Sequence, residues 1–225
     1  MSLCVGFDET DYQASIIDNF KDVDYIKINL AFNTETKIKE IQKKAHENNI
    51  KVILDCKIGD IKETQKAYLE KYNSFFALTI NPFMGANVIE PFIGHHLNCF
   101  VLLLTSNKSR EDFELNIFDS LLEKLLFYIE NNNNIGIVLG ATIPDKYFEI
   151  VFNSFYKKLK ILPKTLIPGI GRQKGNVKSI LDIAKKITNN DRKEIKKLIF
   201  SNSSQIMKSN NPLLEIKKMK NQLTY

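Results

Sequence analysis

The chain has 225 residues, 44% hydrophobic and 26% charged, proportions that suit a globular protein with one domain over residues 1–225 and a substantial core. Its net charge of +6 comes almost wholly from lysines scattered along helical stretches such as 37–44, 157–160 and 185–197. Only Arg110, Arg172 and Arg192 are arginines, and no basic cluster interleaves with stacking aromatics, so nucleic acid ranks well behind an anionic small molecule as a partner.

No apolar run approaches the roughly 20 residues of a membrane span. The first residues lead straight into a strand with no signal-like segment, and Cys4, Cys56 and Cys99 form no CxxC pair. A cytoplasmic protein with neither a disulfide frame nor a zinc site is expected.

Apolar runs and amphipathic segments alternate from end to end. Residues 3–7 read as a first strand ended by Asp8, and 11–20 as a short helix. Strand 24–29 precedes an amphipathic helix over 34–48 with a period near 3.6. The third strand opens on Val52, Ile53 and Leu54, and a helix is predicted over 62–72. A fourth strand over 75–80 closes on Asn81-Pro82, with a helix around 87–94. The fifth, over 99–104, ends in Thr105-Ser106-Asn107 before a helix over 111–130 and a polar turn at 131–134. The sixth, over 135–139, runs into Gly140-Ala141-Thr142 and a helix opened by Pro144. A short seventh strand over 165–167 leads into Pro168-Gly169-Ile170-Gly171-Arg172-Gln173-Lys174-Gly175. Helix 177–188, an eighth strand over 198–200 and a last helix from about Leu213 complete the chain.

Eight strand–helix units predict an α/β fold, a compact (β/α)8 TIM barrel. An open doubly wound sheet is the alternative. Against it, no GxGxxG follows the first strand, and polar residues follow nearly every strand, as a ring of βα loops requires.

The third strand carries the densest chemistry. Asp55 and Lys57 stand two residues apart, hence on one face, at the end of a strand otherwise buried on both sides. Gly59 is expected to turn the chain and place Asp60 ahead of the next helix. A salt-bridged strand end is the plain reading of Asp-x-Lys alone. Lys27, inside the apolar segment Tyr25-Ile26-Lys27-Ile28-Asn29, reads alone as a lysine snorkelling to the strand end. Asp8 reads alone as a helix cap. Together Lys27, Asp55, Lys57 and Asp60 predict an alternating row of charges. Each group would lose its charge if buried singly and keeps it in alternation. Such a row adds little stability over apolar packing, which favours function. The glycine-rich segment after the seventh strand reads as turn chemistry, or as backbone N–H groups converging on an anion beside a helix N-terminus. His46, His95 and His96 read as surface or helix-end residues.

The pattern Asp55-x-Lys57-x-x-Asp60-Ile61-x-x-Thr64 resembles the active-site signature of orotidine 5'-phosphate decarboxylases, and the resemblance runs from Asp8 to Gln205. It implies conversion of orotidine 5'-monophosphate to UMP and CO2 in pyrimidine biosynthesis, with no cofactor and no metal. It also implies a homodimer with shared sites, Asp60, Ile61 and Thr64 entering the neighbouring subunit's site. Lys27, Asp55, Lys57 and Asp60 match the family's catalytic array. Asp8 and Asn29 match ribose contacts, Ser106 a pyrimidine contact, and Pro168, Gly171 and Gln173 the phosphate loop. Two departures stand out. Arg172 replaces the usual Ala before that Gln, and Gln205 occupies the slot of a phosphate-gripping Arg. Either Arg172 supplies the missing cation or phosphate affinity is lowered. The rival readings are a Mg2+-dependent sugar-phosphate lyase or decarboxylase sharing Asp-x-Lys-x-x-Asp, and a non-catalytic nucleotide-phosphate binder.

Overall fold

The structure is a computed structural model describing residues 1–8, 13–20, 22–171, 173 and 175–224. Eight parallel strands close on themselves in chain order, each hydrogen-bonded to its sequence neighbours and the eighth to the first. They are β1 (Ser2–Phe7), β2 (Tyr25–Asn29), β3 (Lys51–Ile58), β4 (Ala77–Ile80), β5 (Asn98–Leu104), β6 (Ile135–Leu139), β7 (Thr165–Pro168) and β8 (Leu198–Asn202). Between and after them lie α1 (Glu35–Glu47), α2 (Lys62–Lys71), α3 (Ala86–Ile89), α4 (Glu114–Asn131), α5 (Asp145–Leu159), α6 (Val177–Ile187), α7 (Arg192–Ile195), α8 (Ser204–Met207) and α9 (Pro212–Leu223). This is the predicted barrel. Among the described residues no helix is long and apolar enough to cross a membrane.

The layers follow from side-chain parity. One residue set on the strands, Cys4, Ile53, Ala77, Phe100, Val138, Leu166 and Ile199, packs together as the barrel's own filling. Their alternates, such as Leu3, Val5, Leu54 and Leu78, join the helices in the larger outer core. The helices supply matching stripes, Ile38, Ile41 and Ala45 on α1 and Val177, Ile180, Leu181 and Ala184 on α6. Helix α1 opens where Thr34 accepts the N–H of Lys37 and ends as Asn49 takes a positive φ of 56°.

Three predicted elements differ by more than two residues in extent. The segment over 11–20 is a 3-10 helix only over Ala14–Asn19, with Asp11 and Tyr12 outside the described residues; its buried side chains are Ala14 and Ile17, a spacing of three. The segment around 87–94 splits into α3 and a 3-10 turn over Glu90–Phe92, because Pro91 lacks the N–H that would continue α3. The helix predicted from Glu111 begins at Glu114, behind a 3-10 turn capped by Asn107.

Candidate active site

Strand register explains how three strands deliver one row of charges. Lys27 lies opposite Gly6 on β1 and Ile53 on β3, so Asp8 and Asp55 each stand two residues further towards the carboxyl ends. The long Lys27 stem climbs that step. Its Nζ sits 3.0 Å from Asp8 Oδ1 and 2.5 Å from Asp55 Oδ2, with only 7% of the side chain exposed. Lys57 Nζ reaches the other Asp55 oxygen at 2.6 Å. The row therefore reads Asp8, Lys27, Asp55, Lys57.

Burial and charge oppose each other here, and charge prevails. Burial of Asp55 favours the neutral acid, yet Lys27 and Lys57 hold its pKa down at about 2, against an ordinary 3.8. Burial would likewise lower Lys27, but Asp55 and then Asp8 raise it above the usual lysine value. Both stay charged across the neutral range. The two lysines differ in access: the Lys57 side chain is 49% exposed and Lys27 is enclosed. Lys57 is the cation that faces whatever enters the barrel mouth.

Asp60 departs from the expected row. Its Oδ1 accepts the N–H of Ile61 at 2.8 Å ahead of α2, and among the described residues it pairs with neither lysine. Within one chain Asp8 takes the fourth place, because Asp60 lies beyond the end of β3. Ile61, half exposed, precedes α2, and Thr64 stands in its first turn. Phe32, Phe83 and Met84, in the loops after β2 and β4, are also exposed, so three consecutive loops present apolar side chains beside the row. Asn29 ends β2 next to Asp55, and its Oδ1 is occupied by the N–H of Ala31 at 3.0 Å.

Across the mouth, Ser106 follows β5 in a loop tied down by Thr105, whose N–H and hydroxyl both donate to Glu114, at 2.6 and 2.7 Å. Pro168 ends β7, and its carbonyl accepts the N–H of Ala141 after β6 at 2.8 Å. The Gly169 N–H donates to Ser201 of β8 at 3.3 Å, and the Gly175 N–H returns to Gly169 at 3.1 Å. Pro168 is thus tied to the segment after β6, Gly169 to β8 and Gly175 back to Gly169, just ahead of α6. Gly171 lies over Asn202, and a Cβ there would meet the Asn202 Oδ1 at 2.5 Å. Gln173 is exposed in this loop, while Arg172 and Lys174 lie outside the described residues.

Gln205 lies on α8. Its Nε2 donates to Glu215 of α9 at 3.1 Å, and Glu215 also accepts from Lys218 at 2.7 Å.

Two residues of the site escaped sequence reasoning. Thr79, buried on β4, donates to Asp55 Oδ1 at 2.9 Å and accepts the Lys57 N–H at 3.0 Å. Within Ala77-Leu78-Thr79-Ile80 it looks like any β-former. Asn202 is buried under the glycine loop and its Oδ1 has no protein donor among the described residues. In Ser201-Asn202-Ser203-Ser204 it reads as turn composition.

The sequence profile described as "Orotidine 5'-phosphate decarboxylase / HUMPS family" matches residues 1–219. Proteins named orotidine 5'-phosphate decarboxylase are 34% identical in Haloarcula marismortui, over 61% of this chain and 52% of that one, and 34% identical in Dehalococcoides mccartyi, over 58% and 51%. The chain spans about half the length of the curated relatives it matches. Among solved structures, the orotidine 5'-monophosphate decarboxylase of Methanocaldococcus jannaschii complexed with the inhibitor BMP superposes with a TM-score of 0.80 at 22% identity, covering 100% of this chain and 99% of that one. The enzyme of Plasmodium berghei gives 0.71 at 24%, covering 92% and 68%. At these identities the superpositions speak for the fold.

Proposed function

Since this chain belongs to the orotidine 5'-phosphate decarboxylase / HUMPS family, we propose that it converts orotidine 5'-monophosphate to UMP and CO2, the reaction that pyrimidine biosynthesis requires, by electrostatic means alone. The observation that carries the reading is the row itself, a buried carboxylate held ionised between an enclosed lysine and a half-exposed one.

The reaction breaks the bond from C6 to the carboxylate, leaves the electron pair on C6 and sends out CO2. A proton must then reach C6. Lys57 takes both tasks: its half-exposed ammonium, paired with Asp55, supplies the cation that the developing carbanion needs and carries the proton to deliver. Asp55 stands against the departing carboxylate and orients Lys57. Lys27 keeps Asp55 charged and fixed, at no cost in reorganisation during the reaction. The glycine-rich turn and the start of α6 suit the phosphate, with Pro168, Gly171 and Gln173 as its proposed contacts and Gln205 in the neighbouring slot, and Arg172 is assigned the role of the added cation on the sequence pattern. Asp8 and Asn29 face the ribose and Ser106 the pyrimidine. Phosphate binding far from C6 lends its energy to the transition state through closure of the site.

Asp60, Ile61 and Thr64 complete a partner's site in a homodimer. The exposed Ile61, Phe32, Phe83 and Met84 support that, since apolar side chains clustered beside a charged mouth favour a covering surface. A cytoplasmic location fits the same reading.

The test is loss of orotidylate absorbance on incubation with the purified chain in EDTA. Turnover unaffected by EDTA is expected. Orotidylate turnover that requires Mg2+ would overturn the metal-free reading, no orotidylate turnover with Mg2+-dependent turnover of a sugar phosphate would replace it with the lyase, and UMP binding without turnover would replace it with the nucleotide binder.

A further inference from the structure

Strands β3 and β4 pair at Leu54 with Leu78 and again at Ile58 with Ile80. Between those pairs β3 has three residues, Asp55, Cys56 and Lys57, and β4 has one, Thr79. The surplus is a bulge, and Lys57 absorbs it with a φ of 47°, a left-handed conformation that L-residues disfavour. A bulged N–H leaves the ladder and needs another acceptor. That acceptor is Thr79 Oγ1, 3.0 Å from the Lys57 nitrogen. The threonine's own proton goes to Asp55 Oδ1 at 2.9 Å. The residue between them is tied to the same place, Cys56 Sγ lying 3.4 Å from the Thr79 carbonyl.

We infer that Thr79 is a positioning residue of the proposed decarboxylation site, its hydroxyl holding the Asp55 carboxylate and the Lys57 backbone in one frame across the bulge. The inference rests on that reading for its link to turnover. Thr79 is 2% exposed and acts through its two neighbours. The direction of the chain of bonds is forced: an ionised carboxylate only accepts, so the single hydroxyl proton must point to Asp55 and the lone pairs to Lys57. Asp55 Oδ1 then receives two donors, Thr79 and Lys57 Nζ, which fixes where the half-exposed ammonium can stand. Thr165, also a buried strand threonine, is a useful contrast, since its hydroxyl bonds the Pro163 carbonyl two residues away in the same segment of chain. Without the Thr79 hydroxyl, the Lys57 N–H has no acceptor and its left-handed backbone has no compensating bond. Residue 57 would relax and carry Nζ out of line.

Two substitutions test this. Thr79→Val keeps the shape and removes the hydroxyl, whereas Thr79→Ser keeps the hydroxyl. With orotidylate, Thr79→Val is expected to lower kcat about 10- to 100-fold with KM changed less than about threefold, as misplacement near 1 Å can do, and Thr79→Ser to restore most of it. Independently of any substrate, a 13C NMR titration of the Asp55 carboxyl should show its midpoint raised in Thr79→Val and unmoved in Thr79→Ser, because a donor to the charged form has been removed. Absence of orotidylate turnover in the unmodified chain would overturn the decarboxylase reading alone, and the titration would still decide the role of Thr79. Unchanged kcat and an unchanged Asp55 midpoint in Thr79→Val would overturn the inference. So would equal losses in both variants with an unmoved midpoint, which is the signature of packing. If Thr79→Val does not fold, Thr79→Cys, with a weakly donating thiol, carries the same comparison.

Discussion

Replacing Lys27 by Met removes one charge and keeps most of the stem, so it isolates what the buried cation does. Lys27 is bonded to Asp8 and Asp55, and the two carboxylates lose unequally. The Asp8 side chain is 32% exposed and regains water, whereas that of Asp55 is 8% exposed and, among the described residues, retains Lys57 and Thr79. Breaking a buried ion pair costs about 3–5 kcal/mol. The surviving partners of Asp55 place this case near the low end, about 3 kcal/mol. At about 2–4 °C per kcal/mol for a chain of this size, Tm should fall by roughly 6–12 °C at pH 7.

The deficit should depend on pH. In the unmodified protein Asp55 titrates near 2 when folded and 3.8 ordinarily, so its stabilisation is complete above about pH 4 and lost as pH falls through 2. Without Lys27 the buried carboxylate is pushed upward and takes a proton sooner. The variant is then relieved on acidification while the parent loses its advantage, and the two Tm values should converge between pH 7 and pH 3. Lys39→Met, which breaks an exposed pair with Glu35, serves as the control and should show no resolvable change. A Lys27→Met deficit under about 2 °C at pH 7, or one that does not shrink with acid, would refute the account of the row.

Lys57→Ala should fold with nearly the parent Tm, because its side chain is half exposed and Asp55 keeps Lys27, yet lose orotidylate turnover by several orders of magnitude. Retention of more than about a tenth of the rate, a tenfold loss being only ~1.4 kcal/mol, would remove Lys57 as the acid. Mixing inactive Lys57→Ala with inactive Asp60→Ala protein should restore activity, since one site of the hybrid dimer receives both intact residues. No recovery in hybrids confirmed by mass would rule out shared sites. Arg172→Ala should raise KM sharply and Gln205→Arg should recover part of it. An interaction energy below about 0.5 kcal/mol in the double-mutant cycle would leave the compensation without support.

The barrel and most of the row were legible because both depend on periodicity. Lys27, Asp55 and Lys57 stand out against apolar strands; parity sets Asp55 on the face of the barrel-filling Ile53, while register brings Lys27 beside it and the bulge decides where Lys57 stands. The bulge was not legible. Its positive φ falls on Lys57, a residue type that gives no sign of it, whereas the sequence pointed to Gly59 as the turning residue. Gly59 serves close approach instead, since a Cβ there would run into the Asn81 carbonyl. Asp8 was legible as a strand-end acid, but its bond to Lys27 depends on a two-residue offset between strands, and register is a tertiary property. Arg172, the residue on which the phosphate expectation turns, lies outside the described residues.

The proposed phosphate end of the site shows why that residue matters. Gln205, Glu215 and Lys218 form a hydrogen-bonded chain whose formal charge is zero, and the Gln205 donor group is already engaged by a carboxylate. A dianion in the glycine loop therefore meets backbone N–H groups and the start of α6, worth about 0.3–1 kcal/mol for an exposed helix end. A charge-assisted bond to a guanidinium contributes about 1.5–3 kcal/mol. The helix end alone falls short of that by roughly 0.5–2.7 kcal/mol, up to about two orders of magnitude in affinity, so a cation beside the loop is worth more here than in a relative with the Arg in place. An Arg introduced at 205 would first have to part from Glu215, which tempers its rescue. For the same reason Glu215→Gln combined with Gln205→Arg should rescue Arg172→Ala more fully than Gln205→Arg alone. Equal rescue with and without the Glu215 change would mean that Glu215 does not hold residue 205 away from the phosphate.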